Sequence, residues 1–584
     1  MIQRLLDSAW GQATHLFTTP VKGRRWLDLL VLVSMAGLVM AFLLVGREWT
    51  GAHRPAVEID LRASALPTYM LLSLVRAAVA YLISISLTFT LAYWAAKDAF
   101  AEKLLIPILD ILQSVPLLAF LPPVILAMTR IFPHSNIGLE LSAAILIVTC
   151  QAWNMIFSFY QSLKTVPPEL SDLAQTYQLS WYQKLRWIEL PYATPGLAWN
   201  SMVSVANGWF FLMAAEAFSA GGQNFLLPGL GAYMQTAVDR GDHIAELTAI
   251  GAVLLLVVVL DRLLWKPIMA WAQRFQMDEN LRPERPQSWL LTLLRRSRLL
   301  RWLEYERTQR LMKRIPRPQR LLKGVLPTAP DRRRRLASLT VAALLGLVLL
   351  GLALAAFKLA RILSLVEAPA WLRLFKAGGA SFARVMLSTL LATLWTVPAG
   401  LWIGMNPKWA KRLQPAVQVA VSYPVSLLFA AITTLLLKVH LGLGASSVLL
   451  MILSTQWYLL FNIIAGAQAI PGELREMGKA FRLTRWGRFK TLYLPAIFPF
   501  LVTGWVTATG GAWNASIITE FVSGGGHTYA TFGLGSELQL ATSANNLPMV
   551  AASSLLMAGL VVLFNRLVWV PLYRMAEQRY TLEA

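Results

Sequence analysis

Two stretches of this sequence share one design: VPPELSDLAQTYQLSWYQKLRWIELP at residues 166–191 and IPGELREMGKAFRLTRWGRFKTLYLP at residues 470–495. The offset of 304 positions between them aligns residues 153–267 with residues 457–571 without a gap, and earlier in each half the offset becomes 308. The matched pairs include Trp209 with Trp513, Glu216 with Glu520, Arg76 with Arg384, Ser114 with Ser422, and Pro116 with Pro424. Shared apolar composition does not match Pro, Trp, Glu and Arg at fixed spacing, so the pattern indicates an internal duplication.

The composition indicates that most of the surface of this protein faces lipid and not water. Of its 584 residues, 56% are hydrophobic and only 14% are charged, against about 25% charged in a typical soluble domain. So few charges do not cover a water-exposed surface of this size, which excludes a soluble enzyme and an intrinsically disordered chain. The single cysteine, Cys150, forbids an intrachain disulfide and excludes a disulfide-stapled secreted module.

Apolar segments long enough to cross a bilayer occur six times in each half. A hydrocarbon core of about 30 Å needs about 20 apolar residues in a helix. The first half has these segments at 27–46, 69–96, 104–131, 138–163, 191–218 and 245–265, and the second half at 336–357, 384–404, 413–437, 446–468, 495–521 and 548–568. The sequence therefore predicts an all-α polytopic membrane protein of about 12 transmembrane helices, arranged as two parallel six-helix repeats.

Basic residues predict the orientation and divide the chain into three parts. Lys and Arg cluster in alternate connections between the spans, which places those connections and both termini in the cytoplasm. The predicted parts are a first repeat at 1–270, a basic linker at 271–335 and a second repeat at 336–584. The linker has 18 Lys or Arg and 6 Asp or Glu, so it carries +12 of the net +23. This position favours contact with anionic lipids over binding to nucleic acid, and docking of a cytoplasmic partner is a further alternative.

Each quoted stretch predicts a short helix with an apolar stripe, followed by a second helix start. The stripes follow helical spacing, with Leu170, Leu173, Ala174 and Tyr177 in the first stretch and Leu474, Met477, Gly478 and Phe481 in the second. Ser180 and Thr484 are the predicted N-caps of the helices that return to the membrane. An apolar stripe with an aromatic residue fits a groove on a soluble partner, and the alternative is packing against the protein's own helix ends.

The spacing in both stretches resembles a known motif: Glu-Ala-Ala, three residues, Gly, nine residues, Ile-x-Leu-Pro. The first stretch matches it with Asp172-Leu173-Ala174, Gln178, Ile188 and Leu190-Pro191, and the second with Glu476-Met477-Gly478, Arg482, Leu492 and Leu494-Pro495. The motif marks importer-type permeases of ATP-binding-cassette transporters. The resemblance implies that each stretch, from Glu169 and from Glu473 onward, is a coupling helix that sits in a cleft of an ATPase subunit. Gln178 and Arg482 replace the turn glycine, so the turn must avoid a left-handed residue or bear its cost.

A closer resemblance is to the nitrate, sulfonate and taurine group of these permeases. The segment PILDILQSVPLLAFLPPVIL at 107–126 is similar to the third-span motif of that group. The group's acidic residue at the end of span five, followed by Gly-Leu-Gly, is matched by Glu216 with 229–231 and by Glu520 with 533–535. The resemblance implies a type I importer architecture, two cytoplasmic ATPase subunits, an external solute-binding protein and a place in a bacterial inner membrane. It also implies a small anionic solute such as nitrate, bicarbonate or a sulfonate.

The sequence has no signature of ATP hydrolysis or of metal binding. The phosphate-loop pattern Gly-x4-Gly-Lys-Ser/Thr does not occur in it. We therefore expect a translocation subunit that is not itself an enzyme and binds no cofactor, with ATP and Mg²⁺ bound by partner ATPase subunits. The 6 His residues do not pair at helical spacing, so no metal site is predicted.

The predicted translocation path or gate consists of Ser114, Pro116, Trp209, Glu216, Ser422, Pro424, Trp513 and Glu520. A carboxylate in a span is costly, so Glu216 and Glu520 either serve the function or cap the Gly-rich loops that follow them. The tryptophan that precedes each of these glutamates by seven residues either packs in the core or lines the path. Each Ser-x-Pro either kinks span three and exposes carbonyl groups to the solute, or is an ordinary helix kink.

We interpret the chain as the fused transmembrane permease subunit of an ATP-driven importer that works by alternating access. The alternative is a 12-span secondary transporter of the facilitator type, which also has parallel six-span halves. Such proteins favour a loop rich in Asp-Arg or Gly-Arg between spans two and three, where this chain has KDAFAEK and NPKWAKR. A third class is a membrane-bound nucleic-acid or signalling scaffold that acts through 271–335.

Overall fold

The computed structural model describes residues 58–114, 116–220, 223–275, 350–524 apart from 352 and 355, and 527–579. Helices dominate this part of the chain, and two short β-hairpins interrupt them. The described helices of the two repeats belong to one compact unit, formed by residues 41–281 and 367–584. The described residues 350–366 belong to another unit.

The first repeat contains eight helices and one hairpin in the described residues. The helices are α1 Ala63–Lys97, α2 Ala99–Ser114, α3 Leu121–Ile131, α4 Ile137–Lys164, α5 Pro168–Thr176, α6 Leu190–Glu216, α7 Leu230–Arg240 and α8 His243–Phe275. The antiparallel strands β1 Ala217–Ala220 and β2 Gln223–Leu226 lie between α6 and α7. One helical turn at Trp181–Lys184 and a π-helical stretch at Leu185–Glu189 lead into α6.

The second repeat has the same order of elements. Its helices are α9 Ala368–Met405, α10 Pro407–Ser422, α11 Phe429–Lys438, α12 Leu443–Ala469, α13 Gly472–Ala480, α14 Leu494–Thr519, α15 Leu534–Ser543 and α16 Leu547–Ala576. The antiparallel strands β3 Phe521–Gly524 and β4 His527–Ala530 follow α14. One turn at Arg485–Arg488 and a π-helical stretch at Phe489–Tyr493 again lead into the long helix. The order of elements therefore repeats as the sequence alignment predicts, and the two hairpins are elements that the sequence did not reveal.

Seven described helices are long and apolar enough to cross a membrane. They are α1, α4, α8, α9, α12, α16 and the segment Arg485–Thr519 that ends with α14. The predicted span 191–218 corresponds to α6, which is 27 residues long. The predicted span 27–46 and most of 336–357 lie outside the described residues. These helices confirm a polytopic all-helical membrane protein.

The predicted spans 104–131 and 413–437 are each broken into two helices. A short 3-10 turn separates α2 from α3 at Leu117–Phe120, and another separates α10 from α11 at Val425–Leu428. Proline causes the break, because it lacks an N–H donor and pushes the residue before it out of the helical region. Tyr423, directly before Pro424, accordingly has φ −77° and ψ 126°. The kink expected at each Ser-x-Pro is thus a full interruption of the helix.

Each repeat packs around its own apolar core. In the first repeat, Trp209 and Tyr233 lie in a buried cluster that joins α1, α6, α7 and α8. In the second repeat, the buried Leu459 and Leu501 join α12 and α14, and α9 completes the cluster. Burial of these apolar side chains leaves the outer helix faces for lipid, which accounts for the large exposed Leu and Trp side chains of α9.

Polar and aromatic contacts also join the two repeats. The rings of Trp199 in α6 and Phe461 in α12 stack with centroids 5.4 Å apart. At the break between α2 and α3, the backbone N–H of Leu118 donates to Asn514 Oδ1 at 3.3 Å. At the same break, Ser554 Oγ of α16 donates to the carbonyl oxygen of Ala119 at 2.8 Å. Side chains of the second repeat therefore satisfy backbone groups that the proline break frees in the first.

Candidate functional site

The two predicted coupling stretches form matching helix-turn-helix loops. We call residues 168–190 loop A and residues 472–494 loop B. Loop A begins with α5 and loop B with α13, and each continues into the turn that precedes the next long helix. Ser180 Oγ accepts a hydrogen bond from Gln183 N at 3.3 Å in a full capping box, and Thr484 Oγ1 accepts one from Gly487 N at 3.0 Å. Both residues are N-caps, as predicted.

The turn in each loop uses a left-handed residue that is not glycine. Gln178 has φ 47° and Arg482 has φ 49°. Leu179 N donates to Ala174 O at 2.9 Å and Leu483 N donates to Gly478 O at 3.2 Å, which is the helix-ending pattern that normally has glycine at this position. Each turn therefore bears the cost of the left-handed conformation, about 1–2 kcal/mol for a residue with a Cβ atom. The same geometry in both repeats, despite this cost, indicates that the path of the chain through the turn matters.

The apolar stripe of each loop divides between the protein's own core and its surface. Ala174 and Gly478 are buried, and a Cβ atom added at Gly478 would lie 2.7 Å from Leu492 Cδ1. At the other end of the stripes, Tyr177 is 39% exposed and Phe481 is 71% exposed. Ala174 and Gly478 thus pack against the protein's own residues, whereas the aromatic residue that ends each stripe faces outward. Docking of this outward end in a partner's groove stays a prediction.

Further exposed residues of the loops were not among the predicted site residues. Trp181 and Tyr182 follow the N-cap of loop A, and Trp486 follows the N-cap of loop B, with exposed fractions of 68%, 51% and 70%. These aromatic residues extend each exposed end into a patch. Their position within two residues after a capping residue was the signal that would have identified them. Of the other predicted loop residues, Glu169, Asp172, Glu473, Glu476 and Met477 are exposed, whereas Leu170, Leu173, Leu474, Pro191 and Pro495 are half-buried.

Charge distinguishes the two loops despite their common backbone. Loop A has two basic and three acidic residues and a net charge of −1, whereas loop B has six basic and two acidic residues and a net charge of +4. The ends of the loops differ as well. Lys97 Nζ at the end of α1 forms an ion pair with Glu189 of loop A at 2.5 Å. In the second repeat Met405 and Tyr493 occupy the equivalent positions and pack against the apolar core.

A second ion pair lies at the same end of the first repeat. Lys164 Nζ at the end of α4 lies 2.7 Å from Glu102 Oε2 of α2, and the Tyr160 hydroxyl donates to Glu102 Oε1 at 2.5 Å. The hydrogen bond from Lys164, followed by that from Tyr160, lowers the pKa of the Glu102 carboxyl below its usual range. An ion pair and a hydrogen bond to Glu102 thereby join the ends of α2 and α4 next to loop A.

At the opposite end of the spans, each repeat buries a carboxylate beside an arginine. In the first cluster, Arg76 Nε and Nη2 donate to the two oxygens of Glu140, each at 2.7 Å. Arg76 Nη1 also donates to Glu216 Oε1. Glu216 accepts from Ser73 Oγ at 2.7 Å and from the backbone N–H of Gly231 at 2.8 Å. One guanidinium group therefore holds two carboxylates in a buried site.

The second cluster has the same plan with one carboxylate fewer. Arg384 Nη1 donates to Glu520 Oε1 at 2.9 Å. Ser381 Oγ donates to Glu520 Oε1 at 2.7 Å, and the backbone N–H of Gly535 donates to Glu520 Oε2 at 2.9 Å. Both glutamates are fully buried, and both hold the chain that follows their hairpin. This is the capping geometry, one of the two roles predicted for these residues.

The Gly-Leu-Gly segment after each hairpin fits against these carboxylates. A Cβ atom added at Gly229 would lie 2.3 Å from Glu216 Cδ, and one added at Gly533 would lie 2.3 Å from Glu520 Oε2. Only glycine permits this approach of backbone to carboxylate. Ser73, Arg76 and Glu140 were missed as site residues. The match of Arg76 with Arg384 was their signal, because an arginine in a span requires a buried partner.

Other predicted path residues lie between the repeats. Trp209 and Ser422 line a small cavity together with Asp261 and Gln418, and Gln418 Nε2 donates to Asp261 Oδ1 at 3.3 Å. Pro424 lines a second cavity next to it. Both cavities have residues of each repeat on their walls. Trp513 and Pro116 are buried, and the side chain of Ser114 lies outside the described residues. Within the described ranges, no group of three or more His, Cys, Asp or Glu side chains is arranged to hold a metal ion.

The fold and these sites define a duplicated polytopic membrane protein with one helix-turn-helix loop and one buried carboxylate cluster in each repeat. Comparison with known protein families gives a match to the family described as binding-protein-dependent transport system inner membrane component, at residues 88–264 and 396–581. These residues are more than half of the chain, and the chain belongs to this family. One match falls in each repeat, so the duplicated unit is the family's domain. The family predicted from the loop motif is confirmed, and the facilitator-type alternative is not favoured.

Similarity to individual proteins points to the same group. Residues of this chain are 27% identical over 152 residues to a nitrate import permease protein of Leptolyngbya laminosa, a match that covers 26% of this chain and 53% of that protein. A bicarbonate transport system permease protein of Synechocystis sp. is 27% identical over 152 residues, 25% of this chain and 51% of that protein. A putative aliphatic sulfonates transport permease protein of Bacillus subtilis is 24% identical over 170 residues, a match that covers 29% of this chain and 58% of that protein. The chain thus spans about half the length of the curated relatives it matches.

Proposed function

We propose that this chain is the translocation subunit of an ATP-driven importer and that it moves a small anion inward. The observation that carries the proposal is the pair of loops A and B. Each keeps a costly left-handed turn and presents exposed aromatic side chains at the same position. Two equivalent protruding loops fit two equivalent clefts, which supports a pair of ATPase subunits as partners. The similar permeases are named for nitrate, bicarbonate and aliphatic sulfonates, which supports a small anion of this kind as the solute.

The remaining parts of the proposal follow from this assignment. ATP and Mg²⁺ bind to the ATPase subunits, and an external solute-binding protein delivers the anion. Both termini and loops A and B lie in the cytoplasm of a bacterial cell, with the chain in its inner membrane. Closure of the ATPase subunits moves loop A relative to loop B, and we expect this movement to open a path between the repeats, where the small cavities support it. The basic linker at 271–335 contacts anionic lipids.

Purification with partners tests the proposal. The chain is isolated from its native membrane in mild detergent, and uptake of nitrate, bicarbonate and an alkylsulfonate is measured in vesicles that contain ATP. We expect ATPase subunits to co-purify with the wild-type chain. The double variant Tyr177→Asp and Phe481→Asp places charge in both patches, and we expect it to lose the ATPase and ATP-driven uptake.

The matched control is Tyr177→Phe with Phe481→Tyr, which keeps an aromatic ring in each patch. We expect this control to retain the ATPase subunits and uptake. Absence of any ATPase from the wild-type preparation contradicts the proposal. Normal uptake by the double Asp variant contradicts it as well.

A further inference from the structure

The two buried clusters differ at the position of Glu140, and as a result Arg384 in the second cluster has an N–H group without a carboxylate partner. The offset of 304 also holds from residue 137, at the start of α4, so that Glu140 corresponds to Gly444 and Leu227 corresponds to Thr531. A Cβ atom added at Gly444 would lie 3.9 Å from Arg384 Nη2, 4.0 Å from Arg384 Nε and 3.4 Å from Thr531 Oγ1. The second repeat therefore lacks a carboxylate at the position where Glu140 binds the Nε and Nη2 groups of Arg76.

The partners of Arg384 do not replace that carboxylate. Its Nη1 donates to Glu520, while its Nη2 donates to the carbonyl oxygen of Phe532 at 2.8 Å and to Thr531 Oγ1 at 3.2 Å. Among the described residues, its Nε donates to none. The hydroxyl proton of Thr531 is also free to donate, because its oxygen already accepts from Arg384. An Nε–H and an O–H thus face the gap above Gly444.

Charge and access favour an anion in this gap. The first cluster combines one guanidinium group with two carboxylates, for a net charge of −1, whereas the second combines Arg384 with Glu520 alone and is neutral. The same scaffold therefore accommodates a second negative charge beside the arginine. The Arg384 side chain is 16% exposed, against 2% for Arg76, so the site in the second repeat is open where the first is filled.

We propose that Arg384 Nε and the Thr531 hydroxyl bind a small planar oxyanion, in the place that the Glu140 carboxylate takes in the first repeat. A nitrate, bicarbonate or carboxylate ion presents oxygens with the geometry that a guanidinium edge recognises. Glu520 stays on Nη1 and fixes the guanidinium plane. The bound ion is the transported solute, so the inference rests on the proposed function and assigns a binding site to it.

A pair of substitutions at Gly444 tests this site. The full chain is purified together with its ATPase subunits, and nitrate, bicarbonate and acetate are titrated in turn by calorimetry. In Gly444→Glu the new carboxylate binds Arg384 as Glu140 binds Arg76, so we expect the apparent Kd for the preferred anion to rise at least tenfold. Gly444→Ala adds only a Cβ atom, which narrows the gap without adding a charge, and we expect its Kd to rise less than that of Gly444→Glu.

A second variant covers the case in which Gly444→Glu does not fold. Thr531→Val removes the hydroxyl at nearly constant volume, and we expect a severalfold rise in Kd. Equal affinity of wild type, Gly444→Glu and Thr531→Val overturns the site. If the wild type takes up an anion with ATP but binds none in the titration, the site fails and the importer stands. If no ATPase co-purifies, yet Gly444→Ala binds the anion and Gly444→Glu does not, the importer fails and the site stands.

Discussion

The two repeats share their backbone and differ in their charges. Loops A and B have the same N-caps, the same left-handed turn and the same π-helical entry into the next long helix, but their net charges are −1 and +4. The two clusters place serine, arginine and glutamate in the same arrangement, but one contains an additional buried carboxylate. The geometry that the fold requires has been kept in both copies, whereas the electrostatic partners of each copy have diverged.

This difference separates two kinds of constraint on a duplicated protein. A residue that fixes the path of the chain is needed in each repeat for a local reason: the hydroxyl at Ser180 accepts a backbone hydrogen bond, and the glycine beside Glu216 leaves no Cβ atom to clash. A charge is needed only where its partner exists, and the partner in one repeat is independent of the partner in the other. We therefore expect equivalent substitutions in the two repeats to differ most where charge is removed from a buried site and least where only the backbone changes.

Removal of the buried arginines should give the largest difference. Arg76→Met leaves the carboxylates of Glu140 and Glu216 buried without a cation, and we expect a loss of stability of about 3–5 kcal/mol. Arg384→Met leaves one carboxylate, which keeps its bonds from Ser381 and Gly535, and we expect roughly half that loss. Thermal unfolding of the purified variants in detergent measures both, and equal losses would show that the second carboxylate does not matter.

Single substitutions in the exposed aromatic patches should give the next largest difference. Phe481 is more exposed than Tyr177, so a partner buries more of it. We expect Phe481→Asp to weaken ATPase binding by about 2 kcal/mol, roughly 30-fold, and Tyr177→Asp by about 1 kcal/mol. Binding of the purified ATPase to each variant in detergent gives the two values. The reverse order would place the main contact on loop A.

Ionic strength should distinguish the loops more weakly. Exposed charges are screened by salt, and each exposed pair contributes less than about 1 kcal/mol. With loop A weakened by Tyr177→Asp, binding depends more on loop B, and we expect the ATPase to dissociate more readily as salt is raised. With loop B weakened by Phe481→Asp, binding depends more on loop A and should respond less to salt. An identical salt dependence in both variants contradicts a role for the charge of loop B.

The smallest effect, and an equal one in both repeats, is expected at the left-handed turns. Gln178→Gly and Arg482→Gly remove the Cβ strain but increase the freedom of the unfolded chain, so we expect each to stabilise the protein by up to about 1 kcal/mol. Gln175→Gly, inside α5, is the matched control and should destabilise by about 1 kcal/mol. Thermal unfolding measures all three, and destabilisation by Gln178→Gly would mean that its side chain has a role of its own.

The sequence predicted local features better than contacts between distant residues. The repeat, the N-caps and the loop helices depend on neighbouring residues, so their patterns are visible in the chain. The hairpins after Glu216 and Glu520 were missed because their Gly-rich sequence has no alternating apolar pattern. The contact of Arg76 with Glu140 and Glu216 joins three separate helices, and no local pattern encodes it. The proline breaks were predicted in position but not in extent, since the sequence does not show whether neighbours satisfy the freed backbone.

The proline break between α2 and α3 has a consequence for how the protein is synthesised. The backbone groups freed between α2 and α3 are bonded by Asn514 and Ser554, which are synthesised 396 and 435 residues after Leu118 and Ala119, their respective partners. Unpaired backbone groups are costly at membrane depth, so the first repeat emerges from synthesis incomplete at this point. We expect the second repeat, rather than lipid, to finish it. Because both repeats are on one chain, each first repeat is followed by one second repeat. The first repeat therefore does not depend on diffusion of a separate subunit through the membrane.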